Sequence, residues 1–172
     1  MIINDFDRLV RDTSPSLLAY LTRRVDPPHD AADVLAETLL TAYRKLTSVP
    51  DDHREAKFWL FSIARRQLAN YHRGKQRHHN LATRLAESIR ISPAEATATT
   101  GQDFLDHLPE KDRELVMLVV WDGFAVSEAG RVLGISRSTA RSRYARAKEK
   151  LRAAHESQEP PPTRQTALPQ RT

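Results

Sequence analysis

The sequence predicts an all-α chain, two small helical domains joined by a flexible linker, with a helix-turn-helix in the C-terminal one. Three observations carry this expectation. The 172 residues include only 5 glycines and few β-branched runs, and they are rich in the helix formers Ala, Leu, Arg and Glu. Apolar residues recur three and four positions apart, the period of a helix with one buried face. Proline and glycine break this pattern into short units, and nothing reads as a β-hairpin. The length suits one ordinary domain or two small ones.

In the first unit Phe6, Leu9 and Val10, then Leu17, Leu18 and Leu21, make apolar faces on either side of Ser14-Pro15. A kink or break is expected there, because proline lacks the amide donor. Pro27-Pro28 ends the unit. Asp30 is placed to cap the next helix, with Leu35, Leu39, Ala42, Tyr43 and Leu46 on one side and Asp33 and Glu37 on the other. Residues 47–56 read as a loop. Leu60, Phe61, Ala64, Leu68 and Tyr71 then mark a helix that Gly74 is expected to end. Residues 1–77 are thus a compact bundle. Residues 78–102, rich in Ala, Thr and Ser, are expected to be a linker with a helical turn or two. Residues 103–154 form the second domain, with helices starting at Pro109, over 126–133 and from Ser136 to about Ala153, the last two separated by Gly134-Ile135. Residues 155–172, with Pro160, Pro161, Pro162 and Pro169, are expected to be disordered.

The net charge of +5 says little, but its distribution says more. Residues 53–77 carry seven basic side chains against one acid, and residues 131–154 carry eight against one. The rest of the chain is neutral or acidic, so two separate polyanion-binding surfaces are expected. The chain has no cysteine, which excludes disulfides and thiolate metal sites and fits an intracellular setting. No apolar run approaches the ~20 residues that span a bilayer, and the N-terminus lacks the pattern of a secretory signal. A soluble cytoplasmic protein without membrane insertion is expected. No glycine-rich phosphate loop, nucleophile motif or apolar carboxylate pair is present, so neither intrinsic catalysis nor a cofactor is expected. His78 and His79 are adjacent and do not share a helix face, and no metal site is expected.

The segment from Ser136 carries the most chemistry. At 100° per residue Ala140, Tyr144, Ala147 and Leu151 line up as a buried stripe, while Ser138, Ser142 and Ala145 face outward. Arg141 and Arg146 flank these small residues, and Arg137, Thr139 and Arg143 complete the exposed set. Small groups beside guanidinium groups are what a helix needs to approach base edges and phosphates in a major groove. Glu149 is the one acid available to pair these cations along the helix.

Residues 123–152, GFAVSEAGRVLGISRSTARSRYARAKEKLR, preceded by LPEKDRELVMLVVWDG at 108–123, resemble the promoter-reading C-terminal domain of bacterial sigma factors of the extracytoplasmic-function (ECF) type, in the sigma-70 family. DAADVLAETLLTAYRKL (30–46) resembles that family's polymerase-binding helix, and FWLFSIARRQLANYHRGKQR (58–77) its strand-opening helix. The three blocks occur in the family's order and spacing. The resemblance implies core RNA polymerase and promoter DNA as partners and leaves an anti-sigma factor open as a further one. It implies that Asp33 and Glu37 dock on polymerase and that Arg65, Arg66, Asn70 and Arg73 meet the minus-10 element. Lys75 and Arg77 would hold phosphates, and the loop from Pro50 to Ala56 a flipped base. Arg137, Ser138, Thr139, Arg141, Ser142, Arg143 and Arg146 would read the minus-35 element. Trp59 and Tyr71 could stack on bases, although their spacing beside Leu60 and Leu68 is more typical of core positions.

The chain departs from the family pattern at Ala36, Leu39, Ala125, Glu128-Ala129-Gly130 and Ala145. Gly130 inside a helix is expected to cost about 0.5–1 kcal/mol relative to alanine. A stand-alone helix-turn-helix regulator with an N-terminal dimerisation or effector domain is the alternative. It leaves the basic 58–77 helix and its acidic neighbour without a task.

Overall fold

A computed structural model of the chain describes the backbone of residues 3–89 and 105–158; the expectations for residues 90–102 and 159–172 lie outside the described residues. Six α-helices account for most of it: α1 (Ile3–Thr22), α2 (Ala31–Tyr43), α3 (His53–Ile89), α4 (Glu110–Val120), α5 (Val126–Leu133) and α6 (Arg137–Gln158). There is no strand among the described residues. The first three helices pack on one another and the last three do likewise.

α1 is a single helix with Pro15 inside it, so the expected break is absent. Phe6, Leu9, Thr13, Leu17, Tyr20 and Leu21 are all buried along one face, spanning both sides of the proline. Burial of that continuous stripe outweighs the missing hydrogen bond, since tertiary packing supplies most helical stability in proteins. In α2 the buried residues are Ala31, Val34, Thr38 and Ala42. Leu35, Leu39 and Leu46 are only partly buried, and Tyr43 is 57% exposed. The stripe is therefore rotated from the expected one. Thr38 can occupy it because its hydroxyl donates to the Val34 carbonyl at 2.7 Å, leaving no unpaired polar group inside.

Asp52 opens α3 by accepting the Glu55 amide at 2.9 Å. Leu60, Phe61, Ala64 and Leu68 are buried along it as expected from their spacing. The helix does not end at Gly74 but continues to Ile89. A Cβ at Gly74 would meet nothing within 4 Å, so this glycine sits in an open part of the helix without a turn to make. Neighbouring Lys, Gln, Arg, Leu and Ala are good helix formers, and together they offset one glycine's cost of about 1 kcal/mol.

In the second half Gly134 adopts φ +69°, the left-handed conformation that ends α5 and starts the turn. Ser136 then caps α6, its Oγ accepting the Thr139 amide at 3.1 Å. Ala125 cannot cap α5 with its side chain. Glu128 compensates by reaching back to accept the Ala125 amide at 2.8 Å. Gly130 has a purpose that its helix propensity conceals: a Cβ there would lie 2.9 Å from Ala140 Cβ and 3.4 Å from the Ile135 carbonyl oxygen. The missing side chain lets α5 and α6 approach closely. Gly130→Ala is accordingly expected to destabilise the chain by about 1–3 kcal/mol through overpacking, measured as a lower urea midpoint; a gain in stability would mean that helix propensity dominates.

One apolar core runs through both halves, linking Phe6, Tyr20, Phe58 and Phe61 to Leu115, Leu118, Phe124 and Val132. Phe124, 5% exposed, stands edge-on to Phe61 at 4.8 Å between ring centroids and tilts against Phe58 at 6.0 Å. Tyr20 completes the cluster against Phe61 at 5.4 Å. Such edge-to-face pairs add to the area each ring buries.

Candidate nucleic-acid interface

α6 presents its expected outward face. Arg137, Ser138, Arg141, Ser142, Ala145 and Arg146 are exposed, while Ala140 and Ala147 are fully buried and Tyr144 and Leu151 pack inward. Thr139 and Arg143 lie at the edge of that face. No ion pair engages Arg137, Arg141, Arg143 or Arg146 among the described residues, so these guanidinium groups are not already neutralised. The Ser136 hydroxyl bonds with those of Ser138 (3.0 Å) and Thr139 (2.8 Å), and Ser142 donates to the Thr139 carbonyl at 3.1 Å. These local bonds fix the small side chains at the start of α6, beside the exposed Arg137 and Arg141.

On α3 the expected minus-10 residues have different surroundings. Arg66, Asn70, Arg73 and Lys75 are exposed. Arg73 donates to the Asn70 side-chain oxygen at 2.5 Å, and Lys75 donates to the Asp26 carbonyl. Arg65 instead faces the second half, where its Nε donates to Glu114 at 2.8 Å. Tyr71 is tied down, its hydroxyl 2.6 Å from the Asp26 carbonyl oxygen and 2.7 Å from the Asp30 carboxylate. Burial and the bond to Asp30 push this phenol up to about 12, so it stays a neutral hydrogen-bond donor at physiological pH. Asp30 therefore spends its carboxylate on Tyr71 and does not cap α2. Trp59 is partly buried against the core. Both aromatic residues are structural in this arrangement.

Asp33 and Glu37 are exposed on α2, one turn apart. With Val34, Gln67, Asn70 and Tyr71 they line a groove between α2 and α3, so acids assigned to docking and an asparagine assigned to strand reading lie along one cleft.

The sequence did not point to the seam between the halves. Arg23 and Arg24, just beyond α1, both donate to Asp122, just beyond α4, the Arg24 bond being 2.7 Å. Arg24 and Asp122 are nearly buried, with 5% and 2% of their side chains exposed. Arg54 pairs with Glu128 through an Nε bond of 2.8 Å, and Arg131 pairs with Glu55. Burial pulls the Glu128 carboxyl upward, but hydrogen bonds from Arg54 and the Ala125 amide outweigh it and hold the group below the usual carboxylate range. Its contribution is present above the unfolded-state pKa and is lost as pH falls through the lower folded one. A lower urea midpoint is thus expected on acidification, read by circular dichroism; stability unchanged through the carboxylate range would contradict the role given to Glu128.

Residues 9–78 match the family model "Sigma-70 region 2" and residues 102–151 match "Sigma-70, region 4". The ECF RNA polymerase sigma factor EcfG of Rhodopseudomonas palustris is 31% identical over 144 residues, 81% of this chain and 78% of the relative. The ECF RNA polymerase sigma factor SigM of Mycobacterium tuberculosis is 30% identical over 149 residues, 85% of this chain and 74% of the relative. Among solved structures, CnrH in complex with the cytosolic domain of CnrY superposes with a TM-score of 0.61 at 25% identity, covering 90% of this chain and 89% of that one. The sigma factor RpoE of Bartonella quintana, solved with the anti-sigma factor NepR, gives 0.59 at 24% identity, covering 91% and 100%, and shares the fold. With both regions matched in order and the relatives aligned across most of their length, the chain belongs to the ECF sigma factors of the sigma-70 family.

Proposed function

We propose that this chain binds core RNA polymerase and directs it to promoters, using residues 1–77 to dock and open DNA and residues 103–154 to read an upstream element. The observation that carries this is the pair of basic helices, α3 and α6, on one chain with an exposed acidic face on α2. In this reading Asp33 and Glu37 meet a basic polymerase surface. Arg137, Arg141, Arg143 and Arg146, with Ser138, Thr139 and Ser142 between them, enter the major groove of the minus-35 element. Arg65, Arg66, Asn70, Arg73 and Lys75 hold the minus-10 strand as it separates, which requires cations and room for an unstacked base but no catalytic group. Catalysis belongs to the polymerase, the chain carries no cofactor, and its place of action is the cytoplasm. Among the described residues no helix is long and apolar enough to cross a membrane. An anti-sigma factor that covers α2 would compete with core enzyme.

Asp33→Lys replaces an exposed acid with a cation and is expected to weaken core binding by about tenfold, the cost of turning one favourable interfacial charge into a like-charge contact. Competition with the wild-type chain for core polymerase reads this out. A variant that competes equally well would remove Asp33 from the interface. Promoter opening by polymerase reconstituted with Arg66→Ala/Arg73→Ala, followed by permanganate reactivity of unpaired thymines, tests the α3 assignment in the same way.

A further inference from the structure

We propose that the cleft between α3 and α4 is a binding site for a nucleoside monophosphate, with guanidinium groups for its phosphate and an apolar lining for its base. The cleft has a volume of about 320 Å³, at the lower end of the roughly 300–1,000 Å³ of small-molecule sites. Arg24, Arg65, Arg66 and Arg113 line it against the acids Glu110 and Glu114, which leaves two positive charges in excess. Arg23 and Asp122, both beside Arg24, cancel each other and leave that excess at two. A phosphate monoester carries about −1.5 to −2 charges at neutral pH and so matches it.

The donors for the phosphate are not all taken up within the chain. Arg24 has a side chain only 5% exposed. Its two Nη groups donate to the Tyr20 carbonyl and to Asp122, and its Nε is buried with no partner among the described residues. A ligand oxygen would satisfy that donor, which is unfavourable to leave unpaired. Arg65 gives its Nε to Glu114 at 2.8 Å, and Arg66 is exposed with no ion pair among the described residues. Arg113 comes from the α4 side. Guanidinium forks of this kind take phosphate oxygens in pairs. Leu68, Ala69 and Met117 supply the apolar lining, and His72 adds a flat ring. Burial lowers the His72 pKa more than the bond to the Arg24 carbonyl and the charge of Glu110 raise it, and Lys75 adds to the lowering. The ring is therefore neutral at physiological pH and offers a face on which a base can stack. Inorganic phosphate would use only the arginines and a nucleoside only the apolar lining; a nucleotide uses both. Arg65 and Arg66 also belong to the set assigned to the minus-10 strand, so an occupied cleft competes with the strand for them. That consequence rests on the strand-opening assignment, whereas the site itself does not.

Isothermal titration calorimetry of the full-length chain with AMP, GMP, CMP and UMP in turn, then with the matching nucleosides and inorganic phosphate, tests the site. The expected result is one mononucleotide per chain, with the nucleoside and inorganic phosphate each bound at least about tenfold more weakly. Arg66→Ala/Arg113→Ala should weaken that binding by at least about tenfold. Ala69→Phe, which fills the cleft and leaves its charge alone, should do the same. Arg44→Ala/Arg152→Ala removes as much charge elsewhere on the surface and should bind like the wild type. Mononucleotides bound no more tightly than inorganic phosphate would overturn the proposal, as would an affinity that Arg66→Ala/Arg113→Ala and Ala69→Phe both leave unchanged. The bound mononucleotide should also lower permanganate reactivity at a promoter opened with the wild-type chain, and not with Ala69→Phe. Binding without that effect would remove the competition with the strand and leave the site standing.

Discussion

Phe124→Ala should destabilise the folded chain by about 3–5 kcal/mol, the usual cost of removing a buried phenylalanine ring. The ring is 5% exposed and fills the space bounded by Phe58 and Phe61, neither of which has another second-half ring beside it among the described residues. Its loss removes the aromatic centre of the seam and throws more of the joint onto the ion pairs there, of which Arg24 with Asp122 is the most buried. A buried pair of that kind contributes little net stability once desolvation is counted. The two halves should then unfold in separate steps. Urea denaturation followed by far-UV circular dichroism is expected to show one transition for the parent and two for the variant, the first at lower urea. An unfolding free energy within about 1 kcal/mol of the parent's would mean that the halves do not share a core in solution.

The second large effect is expected at α6. Arg141→Ala/Arg146→Ala removes two exposed guanidinium groups that have no carboxylate partner among the described residues. If either reads a base, its removal costs about 1–3 kcal/mol, and taking away a cation that neutralises a phosphate lowers the salt dependence by about one ion. Affinity of the polymerase complex for an upstream promoter element should fall roughly 10- to 100-fold, while core binding stays unchanged. Electrophoretic mobility shifts at two salt concentrations would report both numbers. Unchanged promoter affinity would refute the recognition-helix assignment.

Local features were legible in the sequence because they depend on residues close together. The period of Ala140, Tyr144, Ala147 and Leu151 marked the inner face of α6, and Gly134-Ile135 marked the turn before it. Charge counted along the chain located both basic helices. The features that escaped it depended on what lies across from a residue. Pro15 breaks an isolated helix, but not one whose buried stripe continues on both sides. Thr38 reads as a surface residue until its hydroxyl finds the Val34 carbonyl. Asp30 resembles a cap and serves Tyr71, 41 residues away. Gly130 looks like a weakness in α5 until Ala140 is seen 2.9 Å from its missing Cβ. The seam left no local signal at all, because Arg24 and Asp122 are 98 residues apart and each resembles an ordinary surface charge.

Whether the chain acts as a promoter-specificity factor is tested by in vitro transcription, with purified core polymerase, genomic fragments and start sites mapped at the 5′ ends of the transcripts. The expected result is a set of discrete start sites that require the chain and are lost with Arg141→Ala/Arg146→Ala and weakened with Asp33→Lys. Duplex binding by the chain alone, with no new start site on any fragment when core polymerase is added, would contradict it.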